Sequence, residues 1–193
     1  MNPFSNDYPS TGYKQPLRHA TAEEVRKAFI EQPEELNWLA FFLTCDKELA
    51  RVCILDACAL ATTANDVLVH RLDQWTRCCT IVSAVEMQQQ RITQLAAVHE
   101  RTRCFHAAHA PLVPVALELL YDNAEELSLE IDTLCRATLI LLGIERYSLN
   151  ESALMLGVSQ TAVEAAYCAA LESIEILSCE ALLETVIAAQ PCC

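Results

Sequence analysis

Glycine is almost missing, with three in 193 residues at Gly12, Gly143 and Gly157. So few leave little scope for a phosphate-cradling loop or for the turns of a sandwich or barrel. Basic residues stop at Arg146: residues 147–193 hold no Lys, Arg or His, while six glutamates lie there. No apolar run is long enough to span a bilayer, and no basic stretch followed by an apolar core opens the chain. A soluble cytoplasmic protein that does not contact membrane is expected. No CxxC pair, nucleophile elbow or paired-carboxylate motif appears, so neither an enzyme, a small-molecule substrate nor a cofactor is expected.

Apolar residues make up 53% of the chain, and they recur at helical spacing. The expected fold is all-α: two small helical bundles joined by a linker, the C-terminal one a helix-turn-helix. Eleven cysteines sit mostly in apolar helical stretches and read as reduced, small hydrophobes, with Cys192 and Cys193 at the end the exception. Net charge is −13, unevenly spread. Residues 1–110 hold 11 Lys/Arg against 13 Asp/Glu, and residues 111–193 hold 2 against 13. The second half is a poor surface for a polyanion.

Residues 1–20 lack periodicity and read as a disordered tail. Thr21 with Glu24 is a capping box that opens a first helix. Pro33, Glu34 and Glu35 open a second, whose buried stripe is Leu36, Leu39, Ala40 and Leu43. Asp46 caps a third, and a fourth runs from about Asn65 through Arg91 with Trp75, Ile81, Val82, Val85 and Ile92 inward. Trp38 and Trp75 read as packing residues, and 87–91 as a polar helix face. An N-terminal domain over 21–105, a linker over 106–127 and a C-terminal domain over 128–193 follow. On a continuing helix His99, His106 and His109 fall within about 80° of one another. Three imidazoles can hold a metal, yet no carboxylate or thiolate cluster completes the set. They read as exposed or partly packed histidines, and no metal is expected.

The most organised stretch is 148–163. Ser148 and Glu151 form a second capping box, and Gly157 suits a positive-φ turn. Ser159 caps the next helix, and Val163 falls where a buried anchor is needed between the two. Tyr147 reads as a staple onto the first turn. An apolar helix over 131–142 ending at Gly143 precedes this pair, and a long helix over 163–177 continues it. With Arg136, Glu151, Ala153, Leu156, Gly157, Val158, Ser159, Val163 and Leu177 in matching places, these roughly fifty residues resemble the promoter-reading domain of bacterial RNA polymerase sigma factors of the extracytoplasmic-function type. The resemblance implies that Ser159, Gln160, Thr161 and Glu164 face DNA. In the family this helix usually carries arginine or lysine where this chain has Glu164, Ala165 and Ala169.

The N-terminal half carries a second resemblance. Residues 36–58 look like the sigma helix pair that docks on the polymerase clamp, with Leu43-Thr44-Cys45-Asp46 close to the family's leucine-threonine-glycine-aspartate turn. Asp46, Arg51 and Asp56 then face polymerase by resemblance, while Val52 and Leu55 stand where the family has acidic residues and glutamine. Residues 70–91 resemble the helix that reads melted promoter strand, so Arg71, Arg77 and Arg91 are DNA-facing by resemblance. Thr80-Ile81-Val82-Ser83-Ala84-Val85 stands where that helix has asparagine and basic residues.

Three functions fit. The first is a sigma-like protein acting with the RNA polymerase core, and with promoter DNA or an anti-sigma protein, in initiation or its regulation. The second is an adaptor of the same fold that binds protein and not DNA, for which Ala165, Ala166, Ala169 and Ala170 offer a small-residue helix surface. The third is an unrelated helical interaction domain. The charge distribution favours a sigma-like protein whose direct DNA binding is weakened or lost.

Overall fold

The computed structural model describes residues 18–64, 66–101 and 131–188, with side chains described as far as Ile174. The first 17 residues, the 106–127 linker with His106 and His109, and Cys104, Cys192 and Cys193 lie outside them, as does the side chain of Cys179. Among the described residues every regular element is helical. These are α1 (Ala22–Glu31), α2 (Pro33–Thr44), α3 (Lys47–Thr63), a 3₁₀ turn (Val69–Arg71), α4 (Leu72–His99), α5 (Thr133–Thr138) running into a π turn (Leu139–Ile144), α6 (Leu149–Leu156) and α7 (Gln160–Ala188).

Local chemistry sets most helix starts. Thr21 caps α1, and its N–H donates to Glu24 Oε2 at 2.9 Å while the Glu24 N–H donates to Thr21 Oγ1 at 3.3 Å. Pro33 is the first residue of α2, and Asp46 caps α3 by accepting from the N–H groups of Glu48 and Leu49. Ser148 and Glu151 repeat the reciprocal box at α6, at 2.8 Å and 3.3 Å. Hydrogen bonds from the Ser148 hydroxyl and N–H hold Glu151 below its ordinary value, and the Thr21 N–H, then Arg18, do the same for Glu24. A lowered carboxylate stabilises the fold above its unfolded value and loses that effect as pH falls through the lowered one. Amide protection at the first turns of α1 and α6 is therefore expected to drop below the ordinary glutamate range, while the α2 start, which lacks such a box, stays unchanged.

Helix ends follow the same logic. Cys45 closes α2 in the left-handed region at φ 54°. Gly157 closes α6 at φ 64°. The Val158 N–H reaches the Ala153 carbonyl at 3.1 Å and the Gly157 N–H reaches that of Leu154 at 3.3 Å, a Schellman pair. The chain then turns by 102° into α7. Ser159 caps α7 by accepting from the Ala162 N–H.

Two boundaries differ from expectation. The fourth helix starts at Leu72, not near Asn65, and runs on to His99. The reason is non-local: the Val67 carbonyl accepts from Ala20 N–H at 2.7 Å, and the Val69 N–H donates to Arg18 O at 3.0 Å. His19 and Leu68 form an antiparallel bridge. Residues 18–20, read as the end of a tail, are thereby pinned to the α3–α4 connection.

The core is also arranged differently. In place of a separate core for each bundle, one apolar cluster takes Leu39 and Phe42 from α2, Cys53 from α3, Ile81, Val85 and Ile92 from α4, Leu134 from α5, Leu156 from α6 and Val163 from α7. A smaller cluster under α1 holds Val25, Phe29, Leu36, Ala57, Ala61 and Cys79. The cause is α4, about 42 Å long at 28 residues. Its stretch Thr80, Ile81, Ser83, Ala84 and Val85 is buried on several sides, so it can serve both halves at once. Of the small residues Ala165, Ala166, Ala169 and Ala170 on α7, three are buried and Ala169 is partly buried against the core, so they are not the free docking surface expected of them. Among the described residues no single helix is long and apolar enough to cross a membrane.

Candidate protein and nucleic-acid surfaces

α6 and α7 meet at a 102° bend and are built into the rest of the molecule. Gln89 of α4 donates to the Leu156 carbonyl at 3.0 Å, satisfying an acceptor that the end of α6 leaves open. A substitution at Gly157 is strained by its positive φ, and a Cβ there would stand 3.2 Å from the same amide nitrogen, so Gln89 would have to give by a few tenths of an ångström. Val163 is fully buried and Leu156 with it.

Ser159, Gln160, Thr161 and Glu164 are all exposed at the start of α7. The Ser159 hydroxyl donates to the Glu100 carboxylate, and Gln160 Nε2 donates to Asn150 Oδ1 at 3.0 Å. A helix N-terminus attracts anions. Here that place is bordered by Glu100, with Glu164 one turn on, so the chain's own carboxylates meet an approaching phosphate. The three arginines assigned to DNA are not alike. Arg71 is exposed at the edge of a 530 Å³ groove lined also by Gln74, Trp75, Cys78 and Tyr147. Arg91 is exposed on α4. Arg77 is turned inward, its side chain 14% exposed. Its Nε and Nη2 donate to Glu145 Oε1 at 2.9 Å and 2.5 Å, and Nη1 to Glu35 Oε2 at 3.2 Å. It ties α4 to the residue after the π turn. Trp75 and Trp38 are half-buried, Trp75 Nε1 donating to the Ala61 carbonyl and Trp38 stacking on Phe42 at 5.3 Å.

On α3 the picture is reversed. Ala50, Cys53, Ala57 and Ala61 fill the inner side, while Leu49, Val52, Leu55 and Leu60 are exposed, Leu55 by 72% and Val52 by 53%. At 100° per residue these four span about 140° of the helix surface. Asp56 lies within that strip, Arg51 at its border and Asp46 at its start. Arg51 pairs with Glu48 at 2.8 Å, Asp56 accepts from Ser83 Oγ at 3.3 Å, and all three keep exposed positions. Val52 and Leu55 therefore make the surface apolar where the resemblance implied a polar one.

A third constellation joins residues far apart in the sequence. His99 ends α4, Asp132 caps α5 and Cys135 stands in its first turn. His99 Nε2 lies 2.8 Å from Asp132 Oδ2 and 3.6 Å from Cys135 Sγ. Burial works to raise Asp132, but the Cys135 N–H and His99 hold it below its ordinary value. Burial pushes the Cys135 thiol well up. The only sequence signal was Asp132-x-x-Cys135, whose spacing puts both on one helical turn; nothing local linked them to a histidine 33 residues earlier.

Six described cysteines, Cys45, Cys53, Cys58, Cys78, Cys79 and Cys135, carry no disulfide. Burial raises Cys53 to about 11 and Cys79 to about 12, so these are protonated packing groups. Cys168 is disulfide-bonded, an exception to the mostly reduced set beyond the one expected at Cys192 and Cys193. Comparison with protein-family models, with curated proteins and with solved structures gives no match to this chain.

Proposed function

We propose that this chain is a sigma-factor-like transcription protein that works with the RNA polymerase core, in promoter-directed initiation or its regulation, through a protein-binding face on α3. The observation that carries the reading is the strip of exposed Leu49, Val52, Leu55 and Leu60 around Asp56. It lies on the helix pair that the resemblance assigns to polymerase. Solvent-exposed aliphatic side chains clustered on one face are what a helix-in-groove contact uses. Direct duplex binding is lost in this reading, since the helix that would enter the groove offers Gln160, Thr161 and Glu164 but no cation. The sigma-like halves then act as one body around α4 rather than as two bundles on a linker, in the cytoplasm.

An adaptor that keeps these helices but binds another protein is the second reading. The observation favouring it is the replacement of polar clamp-facing positions by Val52 and Leu55. Leu55→Asp separates surface from fold, because a 72%-exposed side chain contributes little to the core. Immobilised core polymerase is expected to capture the wild-type chain and to bind Leu55→Asp about 10-fold more weakly or worse. Failure of the wild-type chain to bind would remove the polymerase reading and leave the protein-binding alternatives. Equal binding by the variant would remove α3 from the contact.

A further inference from the structure

We propose that His99, Asp132 and Cys135 form a binding site for a zinc-class divalent cation, with three protein ligands and one position left for an exogenous one. Their ligand atoms all lie within 4.8 Å of one another. Bonds of about 2.0–2.1 Å to nitrogen, 2.0–2.2 Å to oxygen and 2.3 Å to sulfur at tetrahedral angles put neighbouring ligand atoms about 3.4–3.6 Å apart. The nitrogen–sulfur distance, 3.6 Å, already has that value. The nitrogen–oxygen distance, 2.8 Å, is that of a hydrogen bond and opens by about half an ångström when an ion replaces the proton.

The surroundings hold the ligands in place. Asp132 uses Oδ1 to accept from the Cys135 N–H at 2.9 Å, which orients Oδ2 toward His99. That is the supporting bond a metal-ligating carboxylate needs. His99 and Cys135 are buried, so the ion meets little water, while Asp132 keeps one side of the site open. Imidazole nitrogen with a thiolate suits zinc better than magnesium or calcium. The ion displaces the thiol proton to water, and the imidazole carries its own proton on Nδ1. Thiolate and carboxylate then offset the two charges of the ion. The neighbouring cation, Arg136, donates to the Ile131 carbonyl and the Thr133 hydroxyl. The ion would clip the end of α4 to the start of α5, the join between the two halves of the chain.

The test uses the full chain, reduced and stripped with chelator, then titrated with cobalt(II) as a spectroscopic stand-in for zinc. One equivalent is expected, with a thiolate-to-cobalt charge-transfer band and the intense d–d absorption of a tetrahedral site. Zinc alone should displace the colour and raise the melting temperature by about 5–10 °C at a hundredfold excess over its Kd. Cys135→Ser should abolish the charge-transfer band, and Cys58→Ser should keep it. Asp132→Asn guards against a misfolded variant, since asparagine caps a helix as well as aspartate. It should fold and bind cobalt at least 10-fold more weakly. No band in the wild-type chain, a band that survives Cys135→Ser, or unchanged affinity in Asp132→Asn would each overturn the site.

Discussion

Val163→Asp is expected to unfold the chain in one transition that takes both halves with it. Val163 is fully buried, in the same cluster as Phe42 of α2 and Ile81 of α4. Placing a carboxylate there costs several kcal/mol, because a buried charge without a partner is far less stable than a hydrated one. Loss of the valine contact adds about 1.5–3 kcal/mol. A domain of this size has about 5–15 kcal/mol in all. Trp38 and Trp75 both lie in the first half, so their fluorescence reports on it separately from the helical circular-dichroism signal. The two signals should disappear together. Partial loss of helix with unchanged tryptophan emission would restore two independent bundles, and wild-type melting would remove Val163 as the anchor.

Arg77→Ala is expected to be strongly destabilising for a change at a charged position. Arg77 and Glu145 are 14% and 11% exposed, and two guanidinium nitrogens converge on one carboxylate oxygen. Removing one partner of a buried pair leaves the other charge desolvated and costs about 3–5 kcal/mol. For a chain of this length that lowers the melting temperature by about 10 °C. Glu35, 59% exposed, contributes little, so Glu35→Ala should cost under about 1 kcal/mol. In a double-mutant cycle, Glu145→Ala added to Arg77→Ala should recover part of the loss. Additive losses, or an Arg77→Ala chain as stable as wild type, would show that the pair does not join the halves.

Local rules carried much of the fold. The boxes at Thr21 and Ser148, the cap at Asp46, Pro33 opening α2 and the positive φ at Gly157 each depend on residues within four positions of one another, and all were visible in the sequence. What depended on distant partners was not. The start of α4 slips to Leu72 because Val67 pairs with Ala20, a contact no periodicity encodes. The alanines of α7 are recognisably small, but only packing shows that their partner is the chain itself. Arg77 reads as an available cation until Glu145, 68 residues later, is placed against it. The apolar stretch 80–85 was seen as a departure from a strand-reading helix. Its meaning, a central helix buried on several sides, emerged only when α5, α6 and α7 were packed around it. His99 shares a helical face with His106 and His109 in the sequence pattern, yet its partners in space are Asp132 and Cys135.

That this chain acts through protein contact and not through a grip on duplex DNA is tested most directly by fluorescence anisotropy of labelled duplex DNA titrated with the full chain, at physiological salt and then at falling salt. The halves share one core, so the full chain is the right material. With no basic side chain after Arg146, Arg77 bound to Glu145 and Glu100 beside the start of α7, negligible binding at physiological salt is expected. Micromolar binding, with a log–log salt slope equivalent to several phosphate contacts, would contradict the account and restore an ordinary promoter-reading helix.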